Sequence, residues 1–183
     1  MFFYPYLYYK IFNMKIVLIG YMGSGKSIIG KSLELKINIP FIDLDQYIAD
    51  KEQLSVINIF KLKGDIYFRK IETFYLQEII NKNDSVILAT GGGTPCFGNN
   101  MEILKNKSKT IYLKTSIKNL TSNLLFNKKH RPLISHLSDD DLPEFIGKHL
   151  FERAPFYQQS DFIITTDNKS IKEIVDEIAS ILL

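Results

Sequence analysis

The chain has 183 residues, of which 45% are hydrophobic and 23% charged, and its formal net charge is +3. This length fits one domain with its own core, and the nearly balanced charge excludes a protein built around a broad basic nucleic-acid-binding face. The one cysteine, Cys96, excludes an intramolecular disulfide framework and fits a reducing cytoplasm, which is the location we expect.

The predicted elements alternate between short apolar strands and longer helical patterns. Strands are predicted at residues 15–19, 41–42, 86–89, 110–113 and 162–165. Helices are predicted at about 26–38, 44–62 with interruptions, 65–81, 101–105, 117–126, 142–158 and 170–182. Because strands that alternate with helices indicate βαβ units, we predict a single three-layer α/β domain on a parallel sheet.

Two segments do not follow this alternation. Residues 1–13 are aromatic and lack periodicity, and we interpret them as an N-terminal extension of a domain at 14–183, with Met14 as the working start. A membrane-surface anchor is the alternative for this extension, although no apolar run is long enough to cross a bilayer. Residues 127–141 are polar and irregular. Since a long irregular segment in a compact domain is usually functional or disordered, we predict a mobile lid there.

The strongest motif is a phosphate-binding loop at residues 20–27, which reads GYMGSGKS and follows a predicted strand. Its glycines let successive backbone N–H groups face a polyphosphate at the start of a helix. Lys26 supplies a charge for the β and γ phosphates, and the Ser27 hydroxyl suits Mg²⁺. The motif predicts nucleoside triphosphate binding without choosing between a motor, a switch and a metabolite kinase. The short chain leaves no room for a second ATPase domain.

Polar residues after the second and third strands predict an acceptor site at the carboxyl edge of the sheet. Asp43 and Asp45 alternate and so share a face, with one carboxylate near Mg²⁺ and the other at a substrate hydroxyl. The alternative for Asp45 is a helix N-cap. Gly91, Gly92 and Gly93 follow the third strand. Three consecutive glycines indicate that a ligand approaches the backbone closely, and a tight turn is the alternative.

Arginine is rare in this chain. Of the 23 basic residues only three are arginine, namely Arg69, Arg131 and Arg153. Where any cation serves the sequence uses lysine, so positions that keep arginine are candidates for bidentate binding of carboxylate or phosphate. Arg69 and Glu72 share a helix face, for which a surface ion pair is the alternative. Three arginines around one cleft predict an anionic acceptor together with a transferring phosphate.

In chain order these motifs resemble those of the shikimate kinase family, from Met14 to the C-terminus. The segments that carry the resemblance are GYMGSGKS, FIDLDQYI, NIFKLKGDIYFRKIE, ATGGGTP, HRPLI and FERAPFY. The resemblance implies a P-loop kinase fold with a five-stranded parallel sheet in the order 2-3-1-4-5 and a mobile lid. It also implies transfer of the ATP γ-phosphoryl group to the 3-hydroxyl of shikimate, in the pathway to chorismate and the aromatic amino acids.

The resemblance further implies a cofactor, partners and roles for single residues. The cofactor is Mg²⁺, the partners are ATP and shikimate with no nucleic acid, and we expect a monomer. ATP would be bound by Gly23, Ser24, Gly25, Lys26, Ser27, Ile28 and Arg131, with Mg²⁺ at Ser27 and Asp43. Shikimate would be bound by Asp45, Phe60, Phe68, Arg69, Gly91, Gly92, Gly93, Pro132 and Arg153. The catalytic residues would be Lys26, the base Asp45, and Arg131, which closes with the lid.

Two positions depart from the family pattern, and residues 1–13 have no counterpart in it. Ile28 stands where the family often carries a hydroxyl residue. Leu124 stands where many members carry an arginine against adenine. We therefore expect the adenine contacts to come from Asn168 or Lys169, and we include Lys169 among the ATP-binding residues.

Overall fold

The computed structural model describes residues 13–126, 128, 131 and 133–182. The predicted extension therefore lies outside the described residues except for Asn13. The strands are β1 (Lys15–Ile19), β2 (Phe41–Asp43), β3 (Val86–Ala89), β4 (Lys109–Lys114) and β5 (Phe162–Thr165). The helices are α1 (Lys26–Ile37), α2 (Leu44–Glu52), α3 (Val56–Lys82), α4 (Asn100–Lys107), α5 (Ile117–Leu125), α6 (Leu142–Tyr157) and α7 (Ile171–Leu182), with a 3₁₀ turn at Thr94–Cys96. Of the described helices, none is long and apolar enough to cross a membrane.

The five strands form one parallel sheet in the order β2-β3-β1-β4-β5, which confirms the predicted order. Central β1 pairs with β3 through Val17 and Leu88, and with β4 through Val17 and Thr110. Because parallel strands run in the same direction, their carboxyl ends meet at one edge of the sheet. The phosphate loop, Asp45 and the glycines 91–93 all follow strands that end at this edge.

Side chains of β1 alternate between two hydrophobic cores, one on each face of the sheet. Ile16 and Leu18 pack with the core beneath α1 and α7, whereas Val17 and Ile19 pack with the core beneath α2 to α6. All four are fully buried. A strand covered on both faces must be apolar at every position, which is why this segment reads as a continuous hydrophobic run. The result is the predicted three-layer domain.

The largest difference from the predicted elements lies between residues 44 and 82. Instead of one interrupted helix at 44–62, the first helix ends at Glu52 and the second begins at Val56. The predicted break before residue 65 is present as a kink inside α3 at Gly64, whose φ of 80° is not helical. Glycine accepts this backbone conformation without steric cost. The kink lies between Phe60 and Phe68, whose ring centroids are 4.3 Å apart.

Helix α1 lies very close to the start of β2. A Cβ on Gly30 would come within 2.1 Å of the Phe41 ring, so only glycine fits at this position of the helix. Phe41 opens β2, and the strand ends two residues later at Asp43. The contact between Gly30 and Phe41 therefore helps to fix the distance between the first turn of α1 and the end of β2.

The predicted lid at residues 127–141 is described only in part. Ile134 is fully buried and belongs to the core beneath α2 to α6. The Ile134 N–H donates to the Arg131 carbonyl at 3.0 Å, and the Arg131 N–H donates to the Lys128 carbonyl at 3.0 Å. The described part of this segment is thus a series of turns attached to the core through Ile134 and Leu137, and its mobility stays a prediction.

Candidate active site

A cavity of about 790 Å³ lies at the carboxyl edge of the sheet, above the phosphate loop, and we call it the phosphate-loop cavity. It is lined by residues 22–29, Asp43, Asp45, Thr90, Gly91, Gly92, Thr115, Asn119, Asn123, Arg131, Thr166, Asn168, Lys169, Ile171 and Ile174. Every residue predicted to bind ATP or the metal is among them. The side chain of Ile28 is half exposed at the cavity, at 53%.

The phosphate loop is held in shape by its own lysine. The Lys26 Nζ donates hydrogen bonds to the carbonyl oxygens of Gly20 and Tyr21 at 2.8 and 2.9 Å. Gly23 and Gly25 adopt φ values of 83° and 90°, which glycine tolerates and which allow the loop to curl. Burial lowers the pKa of Lys26 to about 8, against the opposing effect of two nearby carboxylates. A buried cation at a helix N-terminus favours an anionic ligand.

Helix α5 packs directly against the phosphate loop. Leu124 is fully buried, and a Cβ on Gly23 would come within 3.0 Å of its Cγ. The preceding residue, Asn123, lines the cavity, and its Nδ2 donates to the Gly23 carbonyl at 2.9 Å. Position 124 therefore belongs to the core beneath the loop, and the side chain that faces the cavity from this turn is Asn123.

The far wall of the cavity is formed by the turns that follow β4 and β5. Asp167 accepts hydrogen bonds from the Ser116 N–H at 3.2 Å and from Asn119 Nδ2 at 2.6 Å, which ties the two turns together. Asn168 and Lys169, from which we expect the adenine contacts, line this wall. The Lys169 Nζ lies 2.6 Å from Glu177 Oε2, so its charge is already paired.

Ser27 and Asp43, predicted as the metal ligands, are in direct contact. The Ser27 Oγ donates to Asp43 Oδ2 at 2.6 Å. Asp43 Oδ1 accepts from the N–H groups of Asp45 and Gln46 at 3.1 and 3.4 Å, so Asp43 caps α2. The alternative reading of Asp45 as the cap is wrong, because β2 continues to Asp43 and Asp45 falls inside the first helical turn.

A second cavity of about 230 Å³ adjoins the first, and we call it the arginine cavity because all three arginines line it. Its lining residues are Met22, Asp45, Val56, Phe60, Phe68, Arg69, Glu72, Gly91, Gly92, Gly93, Arg131, Leu133 and Arg153. These include every residue predicted for the acceptor except Pro132, which lies outside the described residues. The residues that line both cavities are Met22, Asp45, Gly91, Gly92 and Arg131.

Asp45 is the acidic side chain at the junction of the two cavities. Burial raises its pKa to about 6, and the carboxylates of Asp43 and Glu72 act in the same direction, whereas Lys26 and Arg69 oppose the shift. The side chain is therefore ionised at pH 7 yet close to its titration range. A carboxylate with these properties can accept a proton from a hydroxyl group placed beside it.

Arg69 is held in the arginine cavity by a buried carboxylate. The Arg69 Nη1 donates to Glu72 Oε2 at 2.8 Å, and the other Glu72 oxygen accepts from Thr94 Oγ1 at 2.5 Å. Glu72 is only 1% exposed, which excludes the alternative of a surface ion pair. The guanidinium also lies 5.4 Å from the Phe68 ring centroid, within cation–π range. The sequence did not predict the burial of Glu72.

The three glycines after β3 leave room for the side chains of the site. None of Gly91, Gly92 and Gly93 has a positive φ, so a turn that needs glycine is not the reason for the sequence. A Cβ on Gly91 would lie 3.0 Å from Asp45 Oδ1, and one on Gly93 would lie 2.9 Å from Arg69 Nη1. Close approach is therefore what requires glycine here, and the groups that approach are the protein's own carboxylate and guanidinium.

Helix α6 brings Arg153 to the opposite side of the arginine cavity. The Arg153 guanidinium carbon lies 5.5 Å from the ring centroid of Tyr21, a residue of the phosphate loop. One turn later the Tyr157 hydroxyl donates to the Gly92 carbonyl at 2.5 Å, which fixes the glycine segment. Neither tyrosine was predicted as part of the site, because each acts through a residue distant in the sequence.

Several residues that line the cavity walls belong to no sequence motif. The Thr115 and Thr166 hydroxyls lie 2.7 Å apart after β4 and β5, and Thr90 follows β3. The one sequence signal for them is their position directly after a buried parallel strand.

The letters NKND at residues 81–84 match a guanine-reading NKxD pattern, but they precede β3 at the other edge of the sheet and line neither cavity.

Comparisons with known proteins show which family this chain resembles in sequence and in fold. The family model described as shikimate kinase matches residues 22–183. A shikimate kinase of Flavobacterium psychrophilum is 45% identical over 169 residues, which is 92% of this chain and 98% of the relative. The crystal structure of shikimate kinase from Bacteroides thetaiotaomicron is 37% identical, with a TM-score of 0.86 over 92% of this chain and 98% of that one. Shikimate kinase from Acinetobacter baumannii in complex with shikimate is 26% identical, with a TM-score of 0.87 over 96% of both chains.

Proposed function

Because the chain belongs to the shikimate kinase family, we propose that it transfers the γ-phosphoryl group of ATP to the 3-hydroxyl of shikimate. The products are shikimate 3-phosphate and ADP, in the pathway to chorismate and the aromatic amino acids. The observation that carries the assignment is the position of Asp45, a carboxylate at the junction of a phosphate-binding cavity and a cavity lined by arginine.

The arginine cavity suits an acidic, hydroxylated ring. Arg69 and Arg153 bind the shikimate carboxylate, because a guanidinium group offers paired N–H donors that match a carboxylate. The Phe60 and Phe68 rings, 4.3 Å apart, pack against the apolar part of the substrate ring. Gly92 contributes a backbone contact. We include Pro132 in this set from the family resemblance alone.

Asp45 binds the shikimate hydroxyls and accepts the proton of the 3-hydroxyl as the oxygen attacks phosphorus. Its pKa of about 6 leaves it ionised at pH 7 while keeping it basic enough to assist. The bond from the γ-phosphorus to the β–γ bridging oxygen breaks, and ADP leaves with that oxygen. Lys26 and Arg131 lie beside the transferring group and offset its negative charge.

The nucleotide occupies the phosphate-loop cavity. Gly23, Ser24, Gly25, Lys26, Ser27 and Ile28 surround its phosphates, with the Ile28 backbone N–H in place of the hydroxyl that its side chain lacks. We propose that the adenine lies against the far wall, beside Asn168 and Lys169 and next to Asn119. Since the Lys169 ammonium is paired with Glu177, its stem and backbone rather than its charge are the groups left for the base.

The oxygen atoms of Ser27 and Asp43 fit a bound Mg²⁺. Mg²⁺ takes oxygen ligands at about 2.0–2.1 Å in octahedral geometry and commonly uses one or two protein ligands together with phosphate oxygens. The Ser27 Oγ and Asp43 Oδ2 are hydrogen-bonded to each other at 2.6 Å, so both oxygens are within reach of one small ion. When bound, the ion would neutralise charge on the phosphates, and its location here is part of our proposal.

An ADP-release assay tests the assignment directly. With MgATP we expect ADP release that depends on shikimate, because the acceptor cavity is built for a carboxylate beside a hydroxyl. Gluconate tests the neighbouring class of small-acid kinases, and a reaction without acceptor measures hydrolysis. If gluconate supports faster ADP release than shikimate, the proposed acceptor is wrong. If neither supports release, the chain is a non-catalytic nucleotide-binding protein.

We also propose that the working domain begins near Met14, as a monomer in the cytoplasm. Met14 already contacts the sheet, since its carbonyl accepts from the Val86 N–H at 3.1 Å. A chain that starts at Met14 should keep full activity and be at least as soluble as the full chain, because no residue before Asn13 is assigned to the site. Loss of activity on truncation would place the extension in the core.

A further inference from the structure

Tyr21 is a buried aromatic side chain at the start of the phosphate loop. Its side chain is only 1% exposed, although it belongs to a loop that faces a cavity. The Tyr21 carbonyl accepts hydrogen bonds from Lys26 Nζ at 2.9 Å and from the Ser24 N–H at 3.1 Å. The backbone of this residue is therefore part of the phosphate-binding geometry, while its side chain points away from that cavity.

The Tyr21 side chain is held by two residues of α6. The hydroxyl lies 3.2 Å from His149 Nδ1, and the ring face lies beneath the Arg153 guanidinium at 5.5 Å. His149 and Arg153 are four residues apart and so share one face of the helix. Phe145, one turn before His149, packs on the imidazole with ring centroids 4.8 Å apart. The tyrosine is thus fixed at both its ring face and its hydroxyl.

Arg153 has few other ways to be positioned. Arg69 on the opposite side has the buried carboxylate of Glu72, whereas among the described residues no ion pair to a carboxylate is found for Arg153. The ring of Tyr21 lies beneath the Arg153 guanidinium, and a Cβ on Gly92 would lie 3.4 Å from Arg153 Nη1. An aromatic face restricts a guanidinium without neutralising it, which leaves the full charge for an anionic substrate.

We propose that Tyr21 is a positioning residue that holds the Arg153 guanidinium over the arginine cavity and so joins the phosphate loop to the acceptor site. The proposal rests on the proposed role of Arg153 in binding the substrate carboxylate. Tyr21 itself touches neither substrate. Its ring and hydroxyl have separable functions: the ring face restricts Arg153, and the hydroxyl anchors the ring to His149.

Substitutions at Tyr21 separate these functions in steady-state kinetics. Tyr21→Leu removes the ring face and should raise KM for shikimate about tenfold, with less than a twofold change in KM for ATP. Tyr21→Phe keeps the ring and should raise KM for shikimate no more than about twofold. Tyr75→Leu is the matched control, because Tyr75 also packs on the core and bonds a carboxylate through its hydroxyl but lines neither cavity. It should leave both constants unchanged.

The double variant distinguishes positioning from general damage. In an Arg153→Lys background the further change Tyr21→Leu should leave KM for shikimate within about twofold, because the group that Tyr21 positions is already gone. A tenfold rise in that background too, or an equal rise in KM for ATP, would contradict the proposal. If Arg153→Lys alone leaves KM for shikimate unchanged, the carboxylate role of Arg153 is wrong. Whether Tyr21 positions Arg153 is then tested by NMR spectroscopy.

The NMR test of the contact between Tyr21 and Arg153 is simple because the chain has only three arginines. Their three side-chain Nε–H signals can be assigned with single Arg→Lys variants. Tyr21→Leu should shift the Arg153 signal, since the ring current of the tyrosine is lost, and should leave the Arg69 signal in place. Tyr21→Phe keeps an aromatic ring, so the Arg153 signal should stay at its wild-type chemical shift. An Arg153 signal that does not move in Tyr21→Leu would overturn the proposal, whatever the substrate of the enzyme.

Discussion

The two cavities of the site are lined by different kinds of groups. The phosphate-loop cavity is lined largely by the phosphate loop and by residues that follow the strands, such as Thr90, Thr115 and Thr166. The arginine cavity is formed by long side chains from separate helices, with Arg69 from α3 and Arg153 from α6. Backbone geometry suits a ligand that many proteins share, whereas side chains from distant elements select one acceptor. We infer that substrate specificity resides in the second cavity.

The two cavities also differ in how their lining residues are distributed along the sequence. The phosphate loop is contiguous, so its eight residues predict the ligand class by themselves. The arginine cavity gathers residues from position 22 to position 153, and no local pattern brings them together. Changes to the two cavities should therefore act on different kinetic constants, and the predictions below test that separation from the largest effect to the smallest.

The largest effect is expected at the junction of the cavities. Asp45→Asn keeps the shape of the side chain but removes the proton acceptor, so turnover should fall by about 10² or more. ATP binding, measured by fluorescence titration, should persist because the phosphate loop is intact. Asp50→Asn is the control, since Asp50 lies on the same helix, bonds Gln46 and lines neither substrate cavity. Near-normal turnover of Asp45→Asn would leave Asp45 a spectator.

A smaller effect is expected from Arg69→Lys, which keeps the charge and loses the paired donors. The Michaelis constant for shikimate should rise about tenfold, the cost of a lost hydrogen bond between charged groups, while that for ATP stays within about twofold. Lys63→Arg is a matched exchange of cations on α3 outside both cavities. The separation of the two cavities fails if the ATP constant rises and the shikimate constant does not.

The smallest effects are two pH limbs, one from Asp45 at the junction of the cavities and one from Lys26 in the phosphate-loop cavity. Below about pH 6 Asp45 gains a proton, so kcat/KM for shikimate should fall on the acid side. Above about pH 8 Lys26 loses its proton and its charge, so kcat/KM for ATP should fall on the alkaline side. The acid limb should disappear in a pH profile of the residual activity of Asp45→Asn. If that variant keeps the limb, another group controls it.

The fold was largely predictable because the three central strands β1, β3 and β4 are buried apolar runs and helical patterns lie between the strands. The residues of the site were predicted by the phosphate-loop motif, the scarcity of arginine and the resemblance to one family. Tertiary packing decided the rest. Asp43 is the cap because β2 continues to that residue, and Leu124 is buried because α5 lies on the phosphate loop. The contact of Tyr21 with His149 joins residues 128 positions apart, a separation that no local pattern reveals.

The close contact between Gly30 and Phe41 limits how this enzyme could be made more heat-resistant. Replacing a helical glycine by alanine commonly stabilises a protein by about 0.5–1 kcal/mol, because alanine loses less backbone entropy on folding. At Gly30 that replacement would drive a methyl group into the Phe41 ring and displace the strand that carries Asp43. Gly147 in α6 is the better choice, since a Cβ there would meet its nearest neighbour, Ile117 Cδ1, at an ordinary 3.5 Å. Gly30 and Gly147 both lie in helices, but only Gly147 lies away from the strand that carries Asp43, a proposed metal ligand.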